Sequence, residues 1–132
     1  MSEPVSRPSP PENALSAPYW EGLYRGELRY QVCMQCGTAR HYPRLLCSAC
    51  YDNRARWQVA SGRGSVHSWT VAHYAYHPGF ANELPYTLVT VDLEEGLRAL
   101  GRWYGDGLAI GMPVVARIEQ RDGSPELGFE PR

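Results

Sequence analysis

The sequence has 132 residues, of which 43% are hydrophobic, and a formal net charge of −1 with a pI near 6.4. These values fit one compact unit or two very small ones, and they argue against bulk electrostatic attraction to nucleic acid or to a membrane surface. Every apolar run is far shorter than the roughly 20 residues that span a bilayer. The polar, proline-rich start is unlike a secretory signal, and we therefore expect a cytoplasmic protein.

The N-terminal part predicts a tail followed by a short helix. Residues 1–15 contain four prolines and no apolar periodicity, so we expect a disordered tail there. Residues 16–27 predict a helix, with Ser16 as its N-cap and Pro18 in its first turn. Its small apolar face consists of Tyr19, Trp20 and Leu23. A helix this short is marginal by itself, so it must pack on its own domain or on a partner.

Residues 28–59 hold all the cysteines of the chain, in two Cys-x-x-Cys pairs. The pairs are Cys33 with Cys36 and Cys47 with Cys50. A two-residue gap lets one turn aim two thiolates at a single point, and two such turns make a tetrahedral sulfur site that suits zinc. Two disulfides, an iron site of the rubredoxin kind and unrelated buried thiols are the alternatives. A closed site of four thiolates has no open coordination position, so the predicted zinc is structural.

Residues 60–132 have a β pattern with glycines at the corners. Alternating or β-branched residues predict strands at 65–76, 87–93, 97–104 and 114–119, with a last strand around residues 127–129. About five short strands suit a small closed barrel, most simply an OB fold, whereas a β-sandwich would need about seven. The predicted fold class is therefore mainly β: a short N-terminal helix, a rubredoxin-like zinc ribbon and a five-stranded OB-fold barrel.

The histidines are the remaining candidates for chemistry. His67 and His73 share a face of one predicted strand, and His77 begins the loop that follows. They could act as a general base or line a pocket, but no nucleophile motif accompanies them, so we favour ordinary polar positions. His41 lies between the cysteine pairs and could replace a ligand, although four cysteines make this unnecessary. We predict no catalytic residue.

Arginine supplies the whole positive charge of the chain, because the sequence contains no lysine. Five arginines lie between residues 38 and 63, with Asp52 as the only acid. Arginine binds phosphate through two parallel hydrogen bonds and pairs with acids across interfaces. The arginine excess therefore indicates a phosphate or partner contact, with a solvated face as the alternative.

Five motifs in chain order resemble one family, the zinc-ribbon/OB-fold acyl-CoA-associated proteins, formerly a domain of unknown function. They are Tyr19-Trp20-Glu21-Gly22-Leu23 with Gly26-Glu27-Leu28-Arg29; the four cysteines with Tyr42-Pro43-Arg44; Ser61-Gly62-Arg63-Gly64-Ser65-Val66 with Ser68-Trp69-Thr70-Val71; Pro85-Tyr86; and Ile110-Gly111-Met112-Pro113-Val114. Together they cover about 110 residues, a span read directly from the sequence. The chain departs from the family at Tyr51, where the second cysteine turn often carries glycine.

The resemblance implies a non-catalytic accessory subunit of an acyl-CoA-processing enzyme in lipid metabolism. Such proteins accompany thiolase-like or aldolase-like enzymes or hotdog-fold enoyl-CoA hydratases, where they support complex assembly and form part of a shared acyl-CoA site. A nucleic-acid-binding zinc-ribbon/OB module is the alternative from another class. The near-neutral net charge and the lack of lysine disfavour it.

We also predict the surface that meets the partner. The helix offers Trp20, and the ten-residue loop after the first barrel strand offers Phe80. Aromatic side chains supply affinity at interfaces, while charged side chains supply register or hold phosphate. The arginines assigned to this surface, as contacts to the partner or to the CoA phosphates, are Arg40, Arg44 and Arg63.

Overall fold

The computed structural model describes residues 13–132. Most of the predicted N-terminal tail therefore lies outside the described residues. Within them the chain forms a helix, a three-stranded sheet and a closed five-stranded barrel, in that order. No helix in this part of the chain has both the length and the apolar character needed to cross a membrane. The predicted fold class is confirmed.

Helix α1 spans Ala17–Tyr24 and lies where the sequence predicts it. Ser16 occupies the N-cap position, but its side chain makes no capping hydrogen bond, so the predicted side-chain cap is wrong. Its hydroxyl instead donates to Asn13 Oδ1 at 3.1 Å, and its amide donates to the same oxygen at 2.9 Å. The helix ends before Gly26, whose positive φ of +79° suits a residue without Cβ.

The cysteine-bearing part forms an antiparallel sheet in the order β2-β1-β3. Its strands are β1 (Arg29–Cys33), β2 (Ala39–Arg40) and β3 (Ala55–Val59). Tyr30 and Val32 of β1 are buried, and so is the polar Gln31 between them. Its Oε1 accepts hydrogen bonds from Arg40 Nε at 2.9 Å and from the Arg44 amide at 2.8 Å. Gln31 is therefore a polar connection between the strand and the segment that joins the cysteine pairs.

The barrel closes in the order β4-β5-β6-β8-β7. Its strands are β4 (Arg63–Ala72), β5 (Tyr86–Leu93), β6 (Arg98–Trp103), β7 (Pro113–Arg121) and β8 (Ser124–Pro131). Strand β4 is shorter than the predicted strand 65–76, so His73 lies outside it. The segment between β4 and β5 contains a 3-10 helix, Pro78–Glu83, where the sequence indicates only a loop.

One hydrophobic core joins the helix, the ribbon and the barrel. Phe129 and Val89 of the barrel belong to the same buried cluster as Leu23 of the helix. Two hydrogen bonds reinforce this packing: Gln120 Nε2 donates to the Leu23 carbonyl at 3.2 Å, and the Tyr24 hydroxyl donates to the Gly123 carbonyl at 3.3 Å. Helix α1 thus fixes the ribbon against the β7–β8 hairpin.

Barrel closure depends on close backbone approach at Gly64. A Cβ at this position would lie 2.3 Å from the Asp92 carbonyl oxygen of the neighbouring strand. No side chain can occupy that space without moving a paired strand, so glycine is required at this position of β4.

Candidate metal centre

The four cysteine sulfurs converge on one point. Cys33 Sγ lies 3.6 Å from Cys50 Sγ, and Cys36 Sγ lies 3.6 Å from Cys47 Sγ, so each close pair links the first cysteine turn to the second. All four sulfurs lie within 4.8 Å of one another. A tetrahedral zinc with Zn–S bonds of about 2.3 Å places sulfurs roughly 3.8 Å apart. A disulfide needs about 2.0 Å, so these free cysteines form a metal site and not two disulfides.

The two cysteine turns have equivalent backbone geometry. The Gly37 amide donates to the Cys33 carbonyl at 3.0 Å, and the Tyr51 amide donates to the Cys47 carbonyl at 2.9 Å. Gly37 has a φ of +77° and Tyr51 a φ of +64°. Left-handed backbone costs a non-glycine residue about 1–2 kcal/mol. Tyr51 therefore preserves the turn geometry that glycine would give, at the expense of local strain.

The backbone of the turns favours thiolates, which are the form that binds metal. Amide groups of Cys50 and Ala49 donate to Cys47 and lower its pKa to about 6, and the amide of Cys36 lowers the pKa of Cys33. At Cys50 the Asp52 amide lowers the pKa, but burial and the neighbouring thiols outweigh it and raise the pKa to about 12. A cation at the centre of the quartet would favour the thiolate form of all four cysteines.

An ion pair braces the two turns from outside. The Asp52 carboxylate accepts from the Arg54 amide at 2.7 Å and pairs with its guanidinium at 2.9 Å. Arg54 Nη2 also donates to Gln35 Oε1 in the first turn at 3.2 Å. The Arg54 side chain lowers the pKa of Asp52 to about 2. From the sequence, Arg54 counts only as part of the arginine excess, and its ion pair with Asp52 is not predicted. The Asp-x-Arg spacing shortly after Cys50 is the signal that indicates this pairing.

Arg40 lies inside the ribbon and not at its surface. It is 6% exposed, its Nε donates to Gln31, and Nη1 and Nη2 have no hydrogen-bond partner among the described residues. Arg40 is therefore buried in the isolated chain, and its contact with a partner or with CoA stays a prediction. The buried Gln31 side chain accepts the hydrogen bond of its guanidinium there.

The other predicted contact residues lie on different elements. Trp20 of α1 is half-buried and packs edge-on against Tyr19, with ring centroids 5.0 Å apart. Phe80 of the 3-10 helix packs on Tyr86 at 5.9 Å. The exposed guanidinium of Arg63, on β4, lies 3.5 Å from Glu94, and the exposed Arg44 lies in the segment between β2 and β3. Their contacts with a partner stay predictions.

The barrel histidines have structural partners. His67 Nδ1 lies 3.2 Å from Asp92 Oδ2, and Asp92 also accepts from Arg98 Nε at 2.8 Å. His77 precedes the 3-10 helix, and its Nδ1 accepts from the Gly79 amide at 2.9 Å. These contacts give both side chains a role in holding the barrel and its loop.

His41 is a buried titratable group whose protonation should affect stability. Its ring lies between Tyr19 at 5.4 Å and Tyr42 at 4.1 Å, and its Nε2 has no hydrogen-bond partner among the described residues. Burial lowers the pKa of His41 to about 4. Below about pH 6.5, His41 binds a proton in the unfolded chain, whereas in the folded protein it stays neutral until the pH approaches 4. Stability from neutral His41 is therefore present above pH 6.5 and is lost as the pH falls towards 4, by at most about 3 kcal/mol.

Replacing His41 with phenylalanine is expected to reduce this acid sensitivity. Between pH 7.5 and pH 5, the free energy of unfolding of the zinc-loaded protein should fall by about 2 kcal/mol less in His41→Phe than in the wild type. Denaturant titrations at the two pH values measure the difference, and His73→Phe, at an exposed position, is the matched control. An identical pH dependence in wild type and His41→Phe would show that His41 is not the responsible group.

Two family descriptions match the two parts of the chain. Residues 20–54 match "ChsH2, rubredoxin-like zinc ribbon domain", and residues 57–119 match "ChsH2, C-terminal OB-fold domain". The matches agree with the sulfur cage and the closed barrel. The four cysteines thus form the structural zinc site of a rubredoxin-like ribbon, as the sequence predicts.

The chain is similar to curated proteins of two kinds. It is 37% identical over 124 residues to a "Probable enoyl-CoA hydratase alpha subunit" of Thermomonospora curvata, a match that covers 92% of this chain and 38% of that protein. It is 32% identical over 107 residues to a "DUF35 domain-containing scaffold protein" of Methanocaldococcus jannaschii, a match that covers 74% of this chain and 75% of that protein. The chain thus spans less than two fifths of the hydratase relative and most of the scaffold relative.

A solved structure matches almost throughout. One chain of a structure titled "Ltp2-ChsH2(DUF35) aldolase" superposes with a TM-score of 0.82 and 34% identity, covering 92% of this chain and 98% of that one. Helix, ribbon and barrel are therefore arranged in the same way in that chain.

Proposed function

Because this chain belongs to the DUF35 family of ChsH2-like zinc-ribbon and OB-fold proteins, we propose that it is a non-catalytic accessory subunit of an acyl-CoA-processing enzyme. The partner would be a thiolase-like or aldolase-like enzyme or a hotdog-fold enoyl-CoA hydratase. The chain would support assembly of the complex and form part of a shared acyl-CoA site. A cytoplasmic location is part of the proposal, supported by the free thiols of the metal site, which suit a reducing compartment.

The observation that carries the proposal is the near-complete structural match to a chain of the Ltp2-ChsH2(DUF35) aldolase. That title names two components in one aldolase, and the Thermomonospora relative is named as an alpha subunit. Since this chain covers 38% of the latter protein, its hydratase activity is not carried over. The role that both names support is that of a subunit.

The chemistry of the metal site supports a non-catalytic role. A zinc held by four thiolates has no open position for water or for a substrate carbonyl, so it cannot act as a Lewis acid. When bound, it supplies the crosslink between the two cysteine turns. Nucleophile and general base would then come from the partner.

Arg44 is the best placed of the predicted arginines for a CoA phosphate. It is exposed, and among the described residues it forms no ion pair, whereas Arg63 lies beside Glu94. The amide of Arg44 is fixed by Gln31, which holds the base of the side chain. Arg44→Ala should therefore lower CoA affinity in a salt-dependent manner.

Trp20 is the proposed aromatic anchor of the partner contact. It lines a surface hollow of about 320 Å³ on α1 with Ala17, Glu21, Tyr24 and Arg25. Trp20→Ala is expected to weaken partner binding by about 2 kcal/mol, or roughly 30-fold in Kd. The tagged chain is purified from its native cell, the co-purifying subunit is identified, and its affinity for wild-type and variant chains is measured by calorimetry.

Trp103→Ala is the matched control, because Trp103 is also a partly buried tryptophan packed on the core but lies on the barrel. The melting temperature of each isolated variant is measured beside its affinity. A large loss of stability with unchanged affinity would assign Trp20 to the chain's own core and reject it as an anchor. Recovery of nucleic acid, with no thiolase-like or hydratase-like protein, would contradict the proposed function.

A further inference from the structure

The second half of β4 has an open edge. Strand β4 pairs with β5 along its length, but with β7 only from Arg63 to Ser65. Val66 then exchanges backbone hydrogen bonds with the segment before β7, through the Met112 carbonyl and the Gly111 amide. Within residues 13–132 no strand pairs with this side of residues 68–72. Backbone donors and acceptors of alternate residues therefore face outward there.

This edge lacks the usual protection against pairing. Edge strands are commonly protected by charged side chains, proline or a bulge. Residues 64–82 contain no Asp, Glu, Lys or Arg, and β4 contains no proline. The register of β4 against β5 shifts once, between Val66 and Ser68, before the open stretch begins. Residues 68–72 thus form a regular, neutral edge that another strand can join.

Large apolar side chains accompany the open backbone. Trp69 and Val71 point to the same face of β4 and are 41% and 43% exposed. Tyr74 and Tyr76 follow beyond the strand, 67% and 89% exposed, and their rings pack edge-on with centroids 4.9 Å apart. Aromatic side chains concentrate binding energy at interfaces, so the edge and its aromatic residues suit an interface with a strand.

We propose that the occupant of this edge is a second copy of the same chain, paired antiparallel through β4 about a two-fold axis at Thr70. In a two-fold interface a side chain at the axis meets its own counterpart, so any charge there would face a like charge. The neutral Thr70 at the axis and the uncharged residues on either side of it meet this requirement. This inference is independent of the proposed function.

The sequence around Thr70 is self-complementary in this register. Antiparallel pairing centred on Thr70 places Trp69 opposite Val71 of the second copy and Ser68 opposite Ala72 of the second copy. The two Trp–Val pairs lie on one face, where aromatic and β-branched residues stabilise cross-strand contacts. The pairing would join the two barrels through a continuous sheet in the order β5-β4-β4-β5.

Charged substitutions at Thr70, which lies on the proposed two-fold axis, test the proposal. Light scattering coupled to gel filtration should find the zinc-loaded wild-type chain at twice its 14.8 kDa mass at concentrations of about 100 μM. Thr70→Lys and Thr70→Glu should each weaken dimerisation at least about tenfold, because like charges meet across the axis. An equimolar mixture of the two variants should recover the dimer, since the opposite charges then face each other.

Thr90→Lys is the matched control, because Thr90 lies on β5, one strand inward from the edge and opposite Ser68. It should leave the dimer unchanged, and circular dichroism should show that all variants keep the barrel. A monomeric wild type would overturn the proposal. It would also be overturned if both Thr70 variants stayed dimeric, or if their mixture failed to recover the dimer.

Discussion

Cys47→Ser is expected to unfold the ribbon while leaving much of the barrel's β signal. Cys47 is 1% exposed, and its sulfur lies 3.6 Å from that of Cys36 in the other turn. A ribbon of this size cannot fold on apolar burial alone, and structural zinc in small domains contributes on the order of 10 kcal/mol. Loss of one thiolate should therefore abolish zinc binding and remove protection from amide exchange across Arg29–Cys33.

Metal analysis and amide hydrogen exchange measure this outcome. The wild-type chain should contain about one zinc, and Arg29–Cys33 should exchange slowly until the metal is lost. Ser48→Ala is the matched control, because Ser48 is exposed and lies between the two ligands of the same turn. Protein purified without oxidation that contained disulfides and no metal would refute the zinc site. So would a Cys47→Ser variant with full zinc and unchanged protection.

Phe129→Ala is expected to be the most destabilising change in the barrel. Phe129 of β8 is fully buried, and its ring fills the space that a side chain at Gly101 would occupy. Truncation of a buried phenylalanine typically costs about 3–5 kcal/mol, because burial is lost and a cavity remains. Denaturant unfolding of the zinc-loaded protein measures the loss.

Phe80→Ala provides the same chemical change at a half-buried position in the 3-10 helix. We expect it to cost about 1 kcal/mol, since most of the lost surface is replaced by water. A loss of only about 1 kcal/mol in Phe129→Ala, no larger than that in Phe80→Ala, would mean that the barrel core does not depend on Phe129.

The metal site and the barrel could be predicted because their signals are local. The spacing of Cys33, Cys36, Cys47 and Cys50 restricts each pair to one turn, so their convergence follows from the sequence. The strands predicted at residues 87–93 and 97–104, which glycines separate and end, likewise agree with the observed β5 and β6. Each of these features depends on neighbours in the chain, which the sequence shows directly.

The features that could not be predicted depend on distant partners. Arg40 is buried because Gln31 accepts its hydrogen bond from another strand. Strand β4 ends at Ala72, which pairs with Tyr86, the first residue of β5. Aromatic residues continue to Tyr76, but β5 offers them no partner beyond this pair. The side-chain cap predicted for Ser16 fails because Asn13 takes its hydroxyl. Composition and periodicity do not encode these contacts.

In the proposed role, this chain supports an acyl-CoA enzyme without performing the reaction itself. Acyl-CoA turnover tests it most directly, measured for the chain alone, for the co-purified thiolase-like or hydratase-like subunit alone, and for the reconstituted complex. We expect no turnover by the isolated chain and the highest turnover by the complex. Clear turnover by the isolated chain, abolished by replacing His73 or His77, would contradict it.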